Sequence, residues 1–467
     1  MADSSTHLPA NMLASMVRVP TVPEGWDIAM HFSETAVQSL FHSNWDSDGE
    51  EQHNITWVAP GEVEGHHEIV QITAPLNPPK VTLNSEKQQT SLGFDVVSGE
   101  ISAGKIPSET VPLLLMALQE APPQEMAATT EKHGVQWEHK ATLSPQEPLC
   151  VDDQVPIGSH LKSNGIGYDI GLNIAKTSMT LSGSEFGRIT SHEQGEQVSS
   201  WAKQQDITGK LGHLIPLAST APDEIILQPN YVGTRVVTGT SGAPLLQVLA
   251  SSKNASQDVP QQNVIVPHSS DHDFSLMVSS QAAMNMVVEE YNLGSGDIKV
   301  VTLPPQNGEP HWFIEVHEPM VFEGSFGIDG EKTPLVTQQS SMRMRFGGSP
   351  HQGLEISTYI EPSSDITLDI LLAGNFPPTI KGAGTNHALQ LSSGPQSVTA
   401  NGFYEEIVKP QLETFLTADI KGDMTRVKMK SLTALTQSSL ELSGHQLDYQ
   451  IAAFPGEFVV AGALSAT

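Results

Sequence analysis

Cysteine is nearly absent from this sequence: the 467 residues contain one, Cys150. A lone thiol excludes an internal disulfide framework and a metal centre built from cysteines of one chain. Pro148 and Leu149 precede it, and Asp152 and Asp153 follow closely. Nearby carboxylates oppose thiolate formation, so Cys150 reads as a structural thiol and not as a nucleophile. Basic residues are scarce as well, with 23 Lys+Arg against 53 Asp+Glu and a formal charge of −30. A field of that sign repels nucleic acid and anionic membrane, and disfavours nucleic-acid binding as a main function. Aromatic residues make up only 6% and hydrophobic residues 38%, which implies lean cores in a globular chain. No apolar run approaches the roughly eighteen residues of a membrane-spanning helix. The stretch Met1–Val22 lacks the basic region and continuous apolar core of a cleaved secretion signal. The expected location is the cytoplasm, or outside the cell by a route that needs no cleaved signal.

What the sequence does contain is organised around residues 25–44. Ile28, Met30 and Phe32 alternate with Ala29 and His31, the period of a half-buried strand. At Ser33 the period changes, and Ala36, Val37, Leu40 and Phe41 recur at helical spacing. Ser33 suits the joint, because its hydroxyl can accept from an unpaired amide of the first helical turn. The same unit returns without a gap at Asp273-Phe274-Ser275-Leu276-Met277-Val278-Ser279, with Ala282, Ala283, Met286 and Val287 continuing the stripe. Each time the order is aspartate, strand, serine cap and apolar helix stripe, as expected where two similar halves begin.

A chain this long predicts two domains. Residues 1–24 read as an extended lead-in, 25–250 as the first domain, 251–262 (rich in Ser, Asn, Gln and Asp) as the linker, and 263–467 as the second domain. Within the halves, alternation predicts strands at Val81–Leu83, Trp137–Leu143, Ile170–Leu181, Tyr231–Val237, Met342–Phe346, Leu354–Ile360 and Phe458–Leu464. Helices are predicted at Val111–Leu118, Glu193–Gln205 and Asn401–Leu416. The fold class is α+β, with long antiparallel strands and few helices, and such sheets must be covered on one face or curl.

Catalytic and metal motifs lack their context. Gly239-Thr240-Ser241-Gly242 is similar to a serine-protease nucleophile loop, but no histidine or aspartate stands in a matching setting. A Ser/Gly turn explains it equally well, and a hydrolase centred on Ser241 is the remote alternative. His268-Ser269-Ser270-Asp271-His272-Asp273 is dense in metal-binding side chains but sits in a polar loop. Gly165-Ile166-Gly167 precedes a strand, whereas phosphate cradling needs a helix N-terminus. No cofactor, no metal and no catalytic residue is expected.

The opening Gly25-Trp26-Asp27-Ile28 and the closing Phe454-Pro455-Gly456-Glu457-Phe458-Val459-Val460-Ala461-Gly462 resemble the ends of the bacterial TULIP (tubular lipid-binding) proteins. The relevant branch is the accessory proteins of clostridial neurotoxin gene clusters, and bactericidal/permeability-increasing protein is a more distant member. The resemblance implies two TULIP-like domains, each a highly curved antiparallel sheet wrapped around a long helix. It also implies a groove able to hold acyl chains, and no catalytic motif.

Lipid tails need a continuous uncharged wall. Val37, Leu40, Phe41, Met286, Val287, Ile407, Leu412 and Phe415 are the candidate wall residues, and an ordinary packed core predicts the same stripes. Arg343 and Arg345 share one strand face, as do Arg426, Lys428 and Lys430. These basic stripes are the candidate headgroup ligands. Cross-strand pairing with Glu and Asp is the alternative use for them. The partner expected first is a lipid or other elongated apolar molecule. The second is a protein, bound by a filled-core scaffold or toxin-associated module.

Overall fold

The computed structural model describes the chain from residue 8 to residue 466, apart from short breaks between elements and residues 48–53, 162–167, 173–178, 192–209, 215–230, 253–271, 291–298, 306–310, 347–352, 363–367 and 403–431. It is α+β: antiparallel sheets with a few helices. The helix predicted at Glu193–Gln205, all of the helix predicted at Asn401–Leu416 beyond Asn401 and Gly402, which end a strand, the basic stripe at 426–430, residues 253–262 of the linker and His268–Asp271 lie outside the described residues, while Ser251 ends a strand.

The repeated unit forms the centre of the largest sheet. Strand Ile28–Ser33 pairs antiparallel with strand Phe274–Val278, with Met30 opposite Leu276 and Phe32 opposite Phe274. Each of the two is flanked outside by the closing strand of its own half. Pro244–Ser251 lies beside the first, and Phe458–Ala466 beside the second. Tyr231–Thr238 and His445–Ala453 continue outward on either side. The central strands thus run in an approximately two-fold symmetric order. On the second side the sheet continues through Leu440–Leu442, Lys210–Leu214 and Tyr168–Leu172 to Ile157–Leu161. That last strand comes into contact with Tyr231–Thr238 at the opposite end, so the sheet curls upon itself.

Both repeated strands are buried on both faces, which is why they read as nearly continuous apolar runs. One face carries Ala29, Leu249, Met277, Ile451, Ala453 and Val459, and it packs against Leu8, Met12, Leu13, Met16, Val22 and Trp26. The lead-in is therefore not extended throughout. It contains a helix, Ala10–Met16, whose buried Met12, Leu13 and Met16 close this core. Their spacing, with Leu8, is helical, and burial of one apolar face stabilises a helix too short to persist alone.

Elsewhere the predicted elements are observed with shifted ends: Lys80–Asn84, Val111–Glu120, Gln136–Leu143, Leu354–Pro362 and Phe458–Ala466. Leu440–Leu442 and His445–Ala453 are two strands, because Gly444 turns the chain between them at φ 62°.

Candidate functional site

The two helices that follow the repeated strands define the candidate site. Ser33 ends its strand, and its Oγ accepts from the Ala36 amide at 3.0 Å; Ser279 Oγ accepts from the Ala282 amide at 3.3 Å. These are the expected N-caps, in equivalent places. The helices span Glu34–Ser47 and Ser280–Glu290.

Helix Glu34–Ser47 packs against strands of two sheets. It touches Ile28–Ser33 and Pro244–Ser251 near one end of the sheet and Lys210–Leu214 toward the other. Its apolar stripe is sealed, with Val37 at 0%, Leu40 at 1% and Phe41 at 4% exposure. In the second half Met286 is at 1%, beside buried Ala282 and Ala283. The Val287 side chain lies outside the described residues, as do Ile407, Leu412 and Phe415. The wall residues that are described are thus covered by protein atoms.

The polar side of the first helix is anchored too. Glu34 Oε2 accepts from the Leu83 amide, and Gln38 Oε1 from the Val81 amide, each at 2.7 Å. One helical turn separates Glu34 from Gln38, matching the two-residue repeat of amides on one edge of Lys80–Asn84. That strand ends its own five-stranded sheet, so two helix side chains satisfy an edge that another strand would otherwise occupy. At the far end Ser43 Oγ lies 3.3 Å from His445 Nδ1.

Across the sheet centre runs a buried polar row. Arg235 Nε donates to Gln247 Oε1 at 2.5 Å, Gln247 Nε2 lies 2.7 Å from His31 Nε2, and His31 Nδ1 lies 3.5 Å from Ser275 Oγ. The four residues occupy successive strands in register. His31, Gln247 and Ser275 are buried, and burial lowers the pKa of Arg235 from its ordinary value. A buried amide or imidazole needs such partners, and this row links four adjacent strands across the sheet centre. His31 stood in the repeated strand, yet nothing in its sequence context revealed these partners.

A second polar cluster fixes the lead-in. The Glu457 carboxylate accepts from the Thr21 amide at 2.7 Å, from the Thr21 hydroxyl, and from the Val22 amide at 3.2 Å. Burial raises the Glu457 pKa from about 4.5 to about 7, against the lowering effect of those donors. His311 Nε2 lies 3.1 Å from the carbonyls of Met16 and Val17. The sequence marked Glu457 only as part of the closing resemblance and did not mark His311.

The basic stripe is partly described. Arg345 is exposed on strand Glu331–Phe346, while the Arg343 side chain lies outside the described residues. Strand register sets Arg343 opposite Glu315 and Arg345 opposite Glu355, the arrangement that cross-strand pairing needs. Phe346 is buried and stacks on Phe454 with centroids 4.3 Å apart, on the opposite face as alternation requires. Arg426, Lys428 and Lys430 lie outside the described residues. Ser241 sits exposed in a turn where its Oγ accepts only from the Ala243 amide of the same turn, at 3.5 Å. Among the described residues no histidine is hydrogen-bonded to it and no metal-binding cluster occurs. Likewise, no helix is long and apolar enough to cross a membrane.

No family model matches the chain, and no curated protein matches its sequence. Among solved structures it is similar to P47 of Clostridium botulinum E1, at a TM-score of 0.54 and 10% identity, over 95% of this chain and 100% of that one. P47 from Clostridium botulinum A2 gives 0.51 and 9% over 94% and 97%. A lipopolysaccharide binding protein superposes at 0.34 with 11% identity, over 95% and 99%. The two P47 structures carry the conclusion: this chain has the fold of the clostridial accessory proteins that its two ends resemble.

Proposed function

We propose that this chain is a non-enzymatic binding protein for a lipid or another elongated apolar molecule, held between helix and curled sheet. The observation that supports this reading is helix Glu34–Ser47, whose uncharged stripe Val37–Leu40–Phe41 is buried and which contacts strands from both ends of the curled sheet. Hydrocarbon accepts such a wall because nothing in it requires solvation. Met286 and Val287 supply the corresponding stripe in the second half, and Ile407, Leu412 and Phe415 would extend it. Arg343 and Arg345, and on the second stripe Arg426, Lys428 and Lys430, are the proposed headgroup ligands. The whole is proposed to comprise two TULIP-like domains joined by residues 251–262.

One observation favours a second reading. Val37, Leu40, Phe41 and Met286 are sealed by protein atoms. A groove opened at these residues must displace existing packing, whereas a filled-core interaction module needs no such change.

Native mass spectrometry of the purified chain, with organic extraction of what co-purifies, separates the two. A stoichiometric lipid released on denaturation, together with uptake of a fluorescent fatty acid, supports the carrier. A clean apo mass and no uptake of fatty acid or phospholipid overturns it in favour of the filled core. Leu40→Arg and Met286→Arg, checked for folding by circular dichroism, would localise any uptake to the two stripes.

A further inference from the structure

The helix Val111–Glu120 carries the exposed large hydrophobic residues Leu113, at 61%, and Met116, at 62%. They are one helical turn apart and share a face. Leu114 on the same helix is fully buried and holds the helix to the fold. Helix Met126–Lys132 packs beside it and on strand Asn54–Val63. The pair of helices interrupts the connection between strands Gly99–Lys105 and Gln136–Leu143, which are themselves paired. The exposed pair thus belongs to a helical insertion between adjacent strands.

We propose that Leu113 and Met116 form a docking point for a net-neutral lipid surface, such as a phosphatidylcholine bilayer. Two observations select that occupant. Thr110–Gln119 contains no charged residue, so this stretch can enter a lipid interface without burying a charge. The flanking charges are mainly acidic: Glu109, Glu120, Glu125 and Glu131 against Lys105 and Lys132. Lys105 is engaged by Glu138 at 2.6 Å. With a chain charge of −30, this surface has no means of attracting anionic lipid and is repelled by it. Shallow insertion of two apolar side chains gives weak, reversible binding that does not increase with anionic lipid. The inference goes beyond the proposed ligand groove, since a filled-core protein would dock in the same way.

The test is sedimentation of the full chain with sucrose-loaded phosphatidylcholine vesicles. The wild type is expected to bind, and the double variant Leu113→Glu/Met116→Glu to partition at least about tenfold less, with an unchanged melting curve. Adding phosphatidylglycerol is expected to weaken wild-type binding at low salt and leave it unaffected at high salt. No wild-type binding to phosphatidylcholine, or equal binding by the double variant, overturns the proposal. Tighter binding to phosphatidylglycerol vesicles does so too. So does wild-type self-association abolished by the double substitution, which would make this face an interface between copies. Blue-shifted emission of Leu113→Trp on adding vesicles supports the proposal independently of any change in affinity, and an unshifted spectrum counts against it.

Discussion

Asp27 and Asp273 occupy equivalent places on the two sides of the seam. The carbonyl of Asp27 accepts from the Ser279 amide and that of Asp273 from the Ser33 amide, both at 2.8 Å. The amide of Asp27 donates to the Ala250 carbonyl at 3.0 Å, and that of Asp273 to the Gly462 carbonyl at 2.9 Å. Each carboxylate also holds its own closing strand. Asp27 Oδ2 accepts from the Ser252 amide and hydroxyl at 2.7 and 2.6 Å, and Asp273 Oδ2 accepts from the Leu464 amide at 2.9 Å. A pattern repeated in backbone and side chain together is a structural repeat, not a chance recurrence of short sequence.

The two carboxylates are expected to differ in weight. Asp27→Ala removes the acceptor of two donors and Asp273→Ala that of one. Hydrogen bonds to charged groups are worth about 1.5–3 kcal/mol each, and an orphaned buried amide adds to the loss. Asp27→Ala should therefore lower the urea midpoint more than Asp273→Ala. Because the two stand at opposite ends of the antiparallel pair and their carboxylates share no partner, the double variant should be additive within about 0.5 kcal/mol. Equal losses, or none, would mean that the carboxylates do not anchor the closing strands.

Much of this seam was legible in the sequence, because strand, cap and stripe are local patterns that share one period change at Ser33 and at Ser279. The lead-in helix was missed although Leu8, Met12, Leu13 and Met16 stand at helical spacing. Its stability comes from contact with Ile451 and Val459, far along the chain, and no local pattern announces that contact. The same holds for the partners of His31 and Glu457. Thr21 and Glu457 meet across almost the whole sequence, so only the fold reveals that this carboxylate is buried. Of the candidate wall, the stripes on Val37, Leu40, Phe41 and Met286 were legible from spacing, but not whether protein or ligand covers them, since both need the same apolar face.

Gln247 links Arg235 to His31, and its loss should be felt on both sides. Gln247→Leu is nearly the same size but leaves the Arg235 donor and the His31 ring without this partner at the sheet centre. Stranding buried polar groups costs about 1–3 kcal/mol each. Thermal melts should place this variant well below a Gln247→Glu variant, which keeps an acceptor oxygen for Arg235. No difference between the two would show that the row does not act as a connected network.

Gly456 is expected to tolerate no side chain. Its φ is +126°, and a Cβ there would come within 2.1 Å of His311 Nε2. Gly456→Ala therefore combines backbone strain with displacement of the ring that contacts Met16 and Val17. The expected cost is about 2 kcal/mol or more, with new proteolytic cleavage in the Met16–Thr21 segment. Cleavage at wild-type rate would mean that His311 does not hold the lead-in.

Glu457 makes the stability of the closed lead-in depend on pH, and its sign is opposite to that of an ordinary salt-bridged carboxylate. Burial raises its pKa in the fold from about 4.5 to about 7, so the folded state holds a proton that the unfolded chain has released between those values. The contribution is fully present below about pH 4.5 and is lost as pH rises through 7. A change of this size corresponds to on the order of 3 kcal/mol, from 1.36 kcal/mol per pKa unit. Glu457→Gln keeps an acceptor oxygen for Thr21 and Val22 and cannot ionise. Its stability relative to wild type should rise steadily from pH 5 to pH 8 in urea titrations, with the midpoints converging or crossing near the upper end. Parallel pH profiles would mean that the donors from Thr21 and Val22 outweigh burial. The carboxylate would then be charged in the fold throughout this range and could not release the lead-in as pH rises.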